Sequence, residues 1–325
     1  MPASLSVLIP TYNSARTIEA TLDALFAQTI TPGEVLIMDD GSTDNTLSLL
    51  GHYLPRVTLF QQPNGGVARA RNELARRAQG DLLAFLDHDD VWHPEYLETQ
   101  SAMFHEQQKA VAFFTGHVNH FGFGPHVWDH ECLDARNDVE VIEGFDFLRR
   151  YHTDMGTFGS MSLCCIPKRI FCRLGPEPFH PQVPGVDDYY LFHTLMLLGP
   201  IVYNSKPLVA YRFTRGAQST NLLKQVQKAV SALELLGPQF SRHPDARMGK
   251  SFHAHFAAQR REYGRVLMGA GQPKQARKQL IMSMTASGHP LSMAKSLAWL
   301  FLATVPKRFQ PKWPSEWKPL HSAQS

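Results

Sequence analysis

Two aspartates separated by one residue, Asp87 and Asp89, follow an apolar run ending in Phe85-Leu86. Carboxylate oxygens are hard donors that suit Mg2+ or Mn2+, ions that commonly bind through one or two carboxylates plus phosphate oxygens of a substrate. Alone, the pair equally describes a solvated acidic turn. Two other segments also follow apolar runs. One is Asp39-Asp40-Gly41-Ser42, and the other is Asn64-Gly65-Gly66, which opens a helix whose N-terminus can face an anion. If the three ends converge, they form one site for a cation and its phosphates.

The elements that must position these ends alternate two periods. Ser6 to Ile9, Val35 to Met38, Val57 to Phe60 and Leu82 to Leu86 are short apolar runs, the pattern of strands buried on both faces of a parallel sheet. Between them, Ile18, Leu22, Leu25 and Phe26 recur at helical spacing behind a Ser14 cap. Val67, Ala70, Leu74 and Ala78 do the same behind Gly65-Gly66. Strand and helix alternating in this way build βαβ units, and ligands of such sheets bind beyond the carboxyl ends of the strands.

From Val111 to Tyr211 the chain mixes short strands with loops and carries a helix near Asp188 to Leu198. After Gln218 it turns helical, over Leu222 to Leu236, Phe252 to Met268, Pro273 to Thr285 and Leu291 to Thr304. The ends from Pro311 to Ser325 read as frayed.

Composition narrows the function. A formal charge of +3 over 325 residues does not call for a nucleic-acid partner. The N-terminus has no basic, apolar and small-residue succession of a signal peptide, and the apolar stretch Leu291 to Val305 falls short of the roughly 20 residues of a spanning helix. A cytoplasmic location follows as the expectation. Cys132, Cys164, Cys165 and Cys172 match neither a zinc ribbon nor a redox pair and are expected as small core residues. His117, His120, His126 and His130 sit in a loop, Thr115 to Asp129, without metal-site spacing; that loop is expected to shape an acceptor pocket. No GxGxxG follows the first strand, which argues against a nicotinamide dehydrogenase.

Taken in order, SVLIPTYNSARTIEATLDALFAQT, EVLIMDDGSTDNT, NGGVARARNELARRAQGDLLAFLDHDDVWHPEYL and GVDDYYLFHTLMLLG resemble the family 2 glycosyltransferases. The match covers roughly residues 4 to 215, and the succession of motifs is more specific than any one of them. The resemblance implies an α/β protein with the GT-A fold, a Rossmann-like α/β/α sandwich with a mostly parallel central sheet, plus a C-terminal helical extension. The domains implied are 1–215 for the transferase, with 1–110 as its nucleotide-binding half and 111–215 as its acceptor-binding half, and 216–325 for the helical subdomain.

The same resemblance implies site roles. Tyr12 would stack on the nucleotide base with Thr11 alongside, Asp40 would hydrogen-bond the base, and Arg71 would help hold the nucleotide. Asp87 and Asp89 match the metal motif, with Asp89 the direct ligand and Asp87 nearer the ribose or the metal shell. His88 stands where the family has a small residue, and either points away or adds a ligand. Asp188 matches the catalytic base of a Glu-Asp pair in which Asp187 replaces the Glu. Arg212, in Tyr211-Arg212 with Ser219, resembles a closing segment whose basic residue approaches the phosphates, and equally suits a strand-end surface position.

The implied reaction moves one sugar, with inversion, from a nucleotide-diphosphate sugar, UDP-sugars favoured, to a hydroxyl of a carbohydrate or lipid-linked glycan acceptor, with Mn2+ or Mg2+. Cell-surface polysaccharide or glycolipid biosynthesis is the implied setting. An independent chemical reason asks for a base, because a sugar hydroxyl is a poor nucleophile. No QxxRW segment or membrane helix accompanies the motifs, so single-residue transfer is expected rather than processive synthesis. The alternative class is a catalytically inactive scaffold that binds nucleotide sugars within a glycan assembly complex. The helix over Leu291 to Val305, with Lys295, Lys307, Arg308 and Lys312 around it, suits packing or a homodimer contact, and also peripheral contact with the inner face of a membrane.

Overall fold

The computed structural model describes residues 4–120, 137–153, 160–212, 221–287 and 290–303. The expected positions at His126, His130, Cys132, Ser219 and Pro311 to Ser325 lie outside them. The chain divides into two compact units, residues 1–147 with 158–215, and residues 148–157 with 216–325.

The first unit is built on one nine-stranded sheet. Its strands are β1 (Leu5–Thr11), β2 (Glu34–Asp39), β3 (Thr58–Gln61), β4 (Leu82–Phe85), β5 (Val91–Trp92), β6 (Ala112–His120), β7 (Val139–Ile142), β8 (Cys164–Pro167) and β9 (Ile201–Arg212). The order is β3-β2-β1-β4-β8-β6-β9-β5, with β7 added on β9. β1, β2, β3 and β4 pair in parallel, as do β6 and β9, whereas β8, β5 and β7 run antiparallel to their neighbours. The sheet is therefore mixed with parallel strands in the majority, as expected of a GT-A fold.

Physical necessity shows in the central strands. Every residue of β1 and of β4 is buried, so both need apolar side chains on both faces. Helices α1 (Ile18–Phe26), α2 (Thr46–Leu50), α3 (Val67–Arg77), α4 (Tyr96–Glu106) and α6 (Asp187–Met196) belong to the intervening chain, as does the start of α5 (Gly144–Thr153), whose residues from 148 onward belong to the second unit. In α3, Leu74 is buried together with Ala68, Ala70 and Ala75, and the three alanines are small side chains that let the helix lie close to the sheet.

Four expectations for this unit are corrected. The strand near Val57 to Phe60, expected buried on both faces, is the edge strand β3, with Thr58 and Gln61 exposed and Leu59 and Phe60 half-buried. Ser14 does not cap α1 through its hydroxyl, which pairs with the Thr11 hydroxyl; its carbonyl instead accepts from Thr17 and Ile18 at 2.9 and 3.0 Å. The segment expected as a loop from Thr115 is strand as far as His120. Its irregular register falls at Gly116, where a Cβ would stand 2.7 Å from the Ser205 carbonyl oxygen. Cys164 and Cys165 are core residues as expected, but Cys172 is exposed.

The second unit is helical: α7 (Leu222–Ser241), α8 (Ala246–Gly269), α9 (Pro273–Ser287) and α10 (Pro290–Leu302). Val226, Val230, Leu267, Ala276 and Leu280 belong to its core. Gly264 lets α8 and α9 approach, since a Cβ there would lie 2.8 Å from Leu280 Cγ. The helix expected over Leu222 to Leu236 runs on through Gly237-Pro238, and α7 ends at Ser241. Leu236 and Phe240 are both buried, four residues apart on one face, and Phe240 stacks on Phe252 at 4.2 Å. Packing outweighs the single donor that proline removes. No helix among the described residues is long and apolar enough to cross a membrane.

Candidate functional site

The carboxyl ends of β1, β2 and β4 lie side by side because β1 pairs with both of the others. β9 shares their direction, so Arg212 ends at the same edge. β8 runs the opposite way, which brings its N-terminal approach, Ser160 to Leu163, to that edge as well. Parallel and antiparallel neighbours thus deliver loop ends from far apart in the sequence to one place.

At the end of β2, Asp40 is buried. One oxygen accepts from Gly65 N at 2.9 Å and Gln62 Nε2 at 2.6 Å, and the other from Gly66 N at 2.7 Å. The amides opening α3, expected to face a ligand anion, thus already face one, the side chain of Asp40. Gly66 adopts φ +87, a left-handed conformation that favours glycine. The neighbouring Asp39 holds Ser42 N at 3.1 Å with one oxygen, and its other oxygen is buried with no hydrogen-bond partner. Thr11, expected beside the base, is buried with its hydroxyl on Ser14. Tyr12 extends outward and is 43% exposed.

Arg71 sits at the centre. Its guanidinium donates to Asp87 Oδ1 at 2.6 Å and to Asp187 Oδ2 at 2.7 Å and lies 5.4 Å from the Phe179 ring centroid. It is buried rather than being a surface helix residue. Burial works against its charge, but Asp87, Asp187 and Asp188 more than offset this and raise its pKa. The Asp187 carboxylate also accepts from Gly185 N at 3.0 Å.

The loop after β4 carries three aspartates with different surroundings. Asp87 accepts from Arg71 and, at 3.2 Å, from Ser160 Oγ, while its own amide donates to Ser162 Oγ at 2.9 Å. Asp90 is buried and accepts from Ser160 Oγ at 2.8 Å and Arg212 N at 3.1 Å. Burial, then the charges of Asp89 and Asp87, push it up to about 8. Asp89 has no side-chain hydrogen-bond donor among the described residues. Burial followed by the Asp87 charge pushes it up to about 6. His88 turns toward α1, with Nδ1 3.4 Å from Thr17 Oγ1, and burial lowers its pKa.

Asp188 begins α6 beside Asp187 and accepts from Tyr189 N at 2.7 Å. Burial, then the Asp187 charge, push it up to about 7 against the pull of Arg71. Arg212 donates Nε to the Asp89 carbonyl at 2.8 Å, a buried strand-end position rather than a surface one. The Tyr211 phenol is pushed up by burial and then by Asp90, Asp89, Asp87 and Asp188, so it stands in the field of all four carboxylates.

The arrangement can bind a hard cation and move a proton. Repelling carboxylates lower their mutual energy by taking up a proton or a cation, and the donor set of Asp89 with Asp87 fits a divalent ion. Sequence reasoning missed Asp90, Ser160, Ser162 and the buried role of Asp187. Asp90 adjoins the DxD spacing and could have been flagged, but the serines follow no motif. A hollow of about 570 Å3 lined by Asp81, Phe104 and Lys168 lies toward the opposite end of β4 and holds none of these groups.

Comparison with known proteins bears on the family and the fold. The family model described as "Glycosyl transferase family 2" matches residues 6–166. The uncharacterized glycosyltransferase YibD of Escherichia coli (strain K12) is 34% identical over 148 residues, 45% of this chain and 43% of its own length. A chondroitin synthase of Escherichia coli is 36% identical over 231 residues, 69% of this chain and 31% of that protein. The chain thus spans less than half the length of these two relatives. Among solved structures, S. aureus TarS 1-349 superposes with TM-score 0.68 at 18% identity, covering 92% of this chain and 90% of that one. Its complex with UDP-GlcNAc gives 0.66 at the same identity and coverage.

Proposed function

The chain belongs to glycosyl transferase family 2, and from that premise we propose that it transfers a single sugar, with inversion, from a UDP-sugar to a hydroxyl of a carbohydrate or lipid-linked glycan. The setting is cell-surface polysaccharide or glycolipid assembly, and the location is cytoplasmic. Chondroitin synthase and a TarS complex with UDP-GlcNAc among the similar proteins support the donor class. The observation that carries the reading is the convergence of an Asp89 carboxylate without a side-chain partner and the Asp188 carboxylate around the Asp87–Arg71–Asp187 bridge.

Asp89 would hold Mn2+ or Mg2+, with Asp87 in its shell or toward the ribose, and the ion would neutralise charge on the departing diphosphate. The remaining work falls to the chain. Tyr12, exposed at the end of β1, offers a ring for the base to stack on, while Thr11 and Asp40 border it. Arg71 acts as a positioning residue, holding Asp87 and Asp187 in place through two charge-assisted hydrogen bonds. Arg212 organises the aspartate loop from behind and adds positive charge toward the phosphates. Asp188, with a pKa near neutrality, accepts the proton of the acceptor hydroxyl as that oxygen attacks the anomeric carbon. The nucleotide diphosphate leaves from the opposite face, giving inversion. Asp187 is tied to Arg71 and Gly185 N, which leaves Asp188 for the base role. The transferase domain is taken as 1–215, halved near 110, and the helical subdomain as 216–325.

The test is to incubate the chain with Mn2+ and a panel of UDP-sugars, with and without glycan acceptors, and to measure UDP release. Release lost in Asp89→Ala and in Asp188→Asn is expected. Release that survives both changes removes the mechanism, and tight nucleotide binding with no turnover on any acceptor would favour the scaffold class.

A further inference from the structure

α10, the last helix among the described residues, leaves much of its apolar surface uncovered. Its inward side carries Ser296, which is fully buried and exchanges a 2.8 Å hydrogen bond with the equally buried Ser283 of α9. Its outward side carries Leu291 and Leu297, 69% and 53% exposed, with Met293, Ala294 and Ala298 also exposed. On α9, Ile281 faces outward at 50% exposure between Lys278 and Thr285. Trp299 and Leu300 pack on the core of the unit, so α10 carries apolar residues on its outward side as well, whereas a surface helix usually confines its apolar stripe to the core side.

Charge identifies what the face meets. Between Glu262 and Glu316 the sequence holds no acidic residue, whereas it holds Arg265, Lys274, Arg277, Lys278, Lys295, Lys307, Arg308 and Lys312. Lys274, Lys278 and Lys295 are exposed on the two helices that carry the apolar face. A second copy presenting the same face would bring like charges together. An anionic bilayer offers the complement, acyl chains for the leucines and headgroup phosphates for the flanking lysines.

We infer that α9 and α10 form a peripheral docking face for an anionic phospholipid membrane, with Leu291, Leu297 and Ile281 inserted at the headgroup boundary. Attraction to such a surface gains about fivefold per nearby cation. The inference rests on the helical unit alone and does not depend on the transferase reading.

The experiment is co-sedimentation of the full chain with vesicles of phosphatidylglycerol and phosphatidylcholine, or of phosphatidylcholine alone, at low and high salt. Binding is expected to the anionic vesicles and to weaken with salt. Leu291→Asp/Leu297→Asp should lower partitioning at least tenfold, as should Lys274→Glu/Lys278→Glu/Lys295→Glu. Both sets alter exposed residues, and circular dichroism with thermal melting checks that the helices persist. The inference is overturned by absence of binding to anionic vesicles, by unchanged partitioning of the Asp variant, or by a concentration-dependent dimer in sedimentation velocity that Leu297→Asp abolishes.

Discussion

Arg71 and Asp187, 116 positions apart in the chain, meet at 2.7 Å with both side chains almost fully buried. The same guanidinium reaches Asp87, so one arginine of α3 ties the loop after β4 to the start of α6. A buried charge pair contributes little beyond an apolar equivalent, but losing one partner strands the other in the interior. Arg71→Met is therefore expected to destabilise the first unit by about 3–5 kcal/mol. Arg71→Met/Asp187→Asn should recover part of that loss. Urea unfolding of the four members of the cycle measures this, and simple additivity would show that the two residues are not coupled.

Asp187 and Asp188 should separate by readout. Asp188→Asn is expected to lower kcat by about 100- to 10,000-fold without loss of stability, because it removes a charge that burial and Asp187 already disfavour. Asp187→Asn should instead lower the melting temperature, since it withdraws one of the partners of Arg71. Steady-state kinetics and melting curves on both variants decide it; equal kinetic losses would remove the distinction.

The pH dependence of stability follows from three carboxylates. Asp89, Asp188 and Asp90 are raised to about 6, 7 and 8, above the ordinary aspartate value of 3.8. The folded protein therefore holds more protons than the unfolded chain between about pH 4 and 8, and stability falls as pH rises through that window. Without divalent ions, the melting temperature should be higher at pH 5.5 than at pH 8.5. Asp90→Asn should flatten the upper part of the profile. Added Mn2+ should raise the melting temperature most at the alkaline end, where the carboxylates are charged. A metal-free profile that climbs steadily to pH 8.5 would contradict the assignment.

Asp40→Ala releases the amides of Gly65 and Gly66. Both are then left to water or to nothing, and a loss of about 1–3 kcal/mol is expected. UDP affinity should weaken with it, by isothermal titration. Asp40→Asn, which keeps an acceptor, should lose less of both.

The four parallel strands of the first half were legible in the sequence, because burial of β1, β2 and β4 on both faces writes each as a mostly apolar run, and the edge strand β3 keeps Leu59 and Phe60 half-buried. The polar residues just beyond those runs identified Asp40, Asp87 and Asp89 by position alone. The expected helix end at Leu236 and the expected Ser14 cap give way for one reason. Local propensity is a weak force, and a buried Leu236–Phe240 face or a Thr11 hydroxyl outweighs it.

By itself, the sequence determined which residue types stand at each strand end, and hence that a cation and an acid–base group could work there. The tertiary structure alone decided how they divide the labour. Whether a carboxylate is tied to an arginine, shared with a serine or left without a side-chain partner depends largely on segments far along the chain, such as Arg71 on Asp187, Ser160 on Asp87 and Arg212 on Asp90. Hydrogen bonding and desolvation act through space, and no local spacing encodes them.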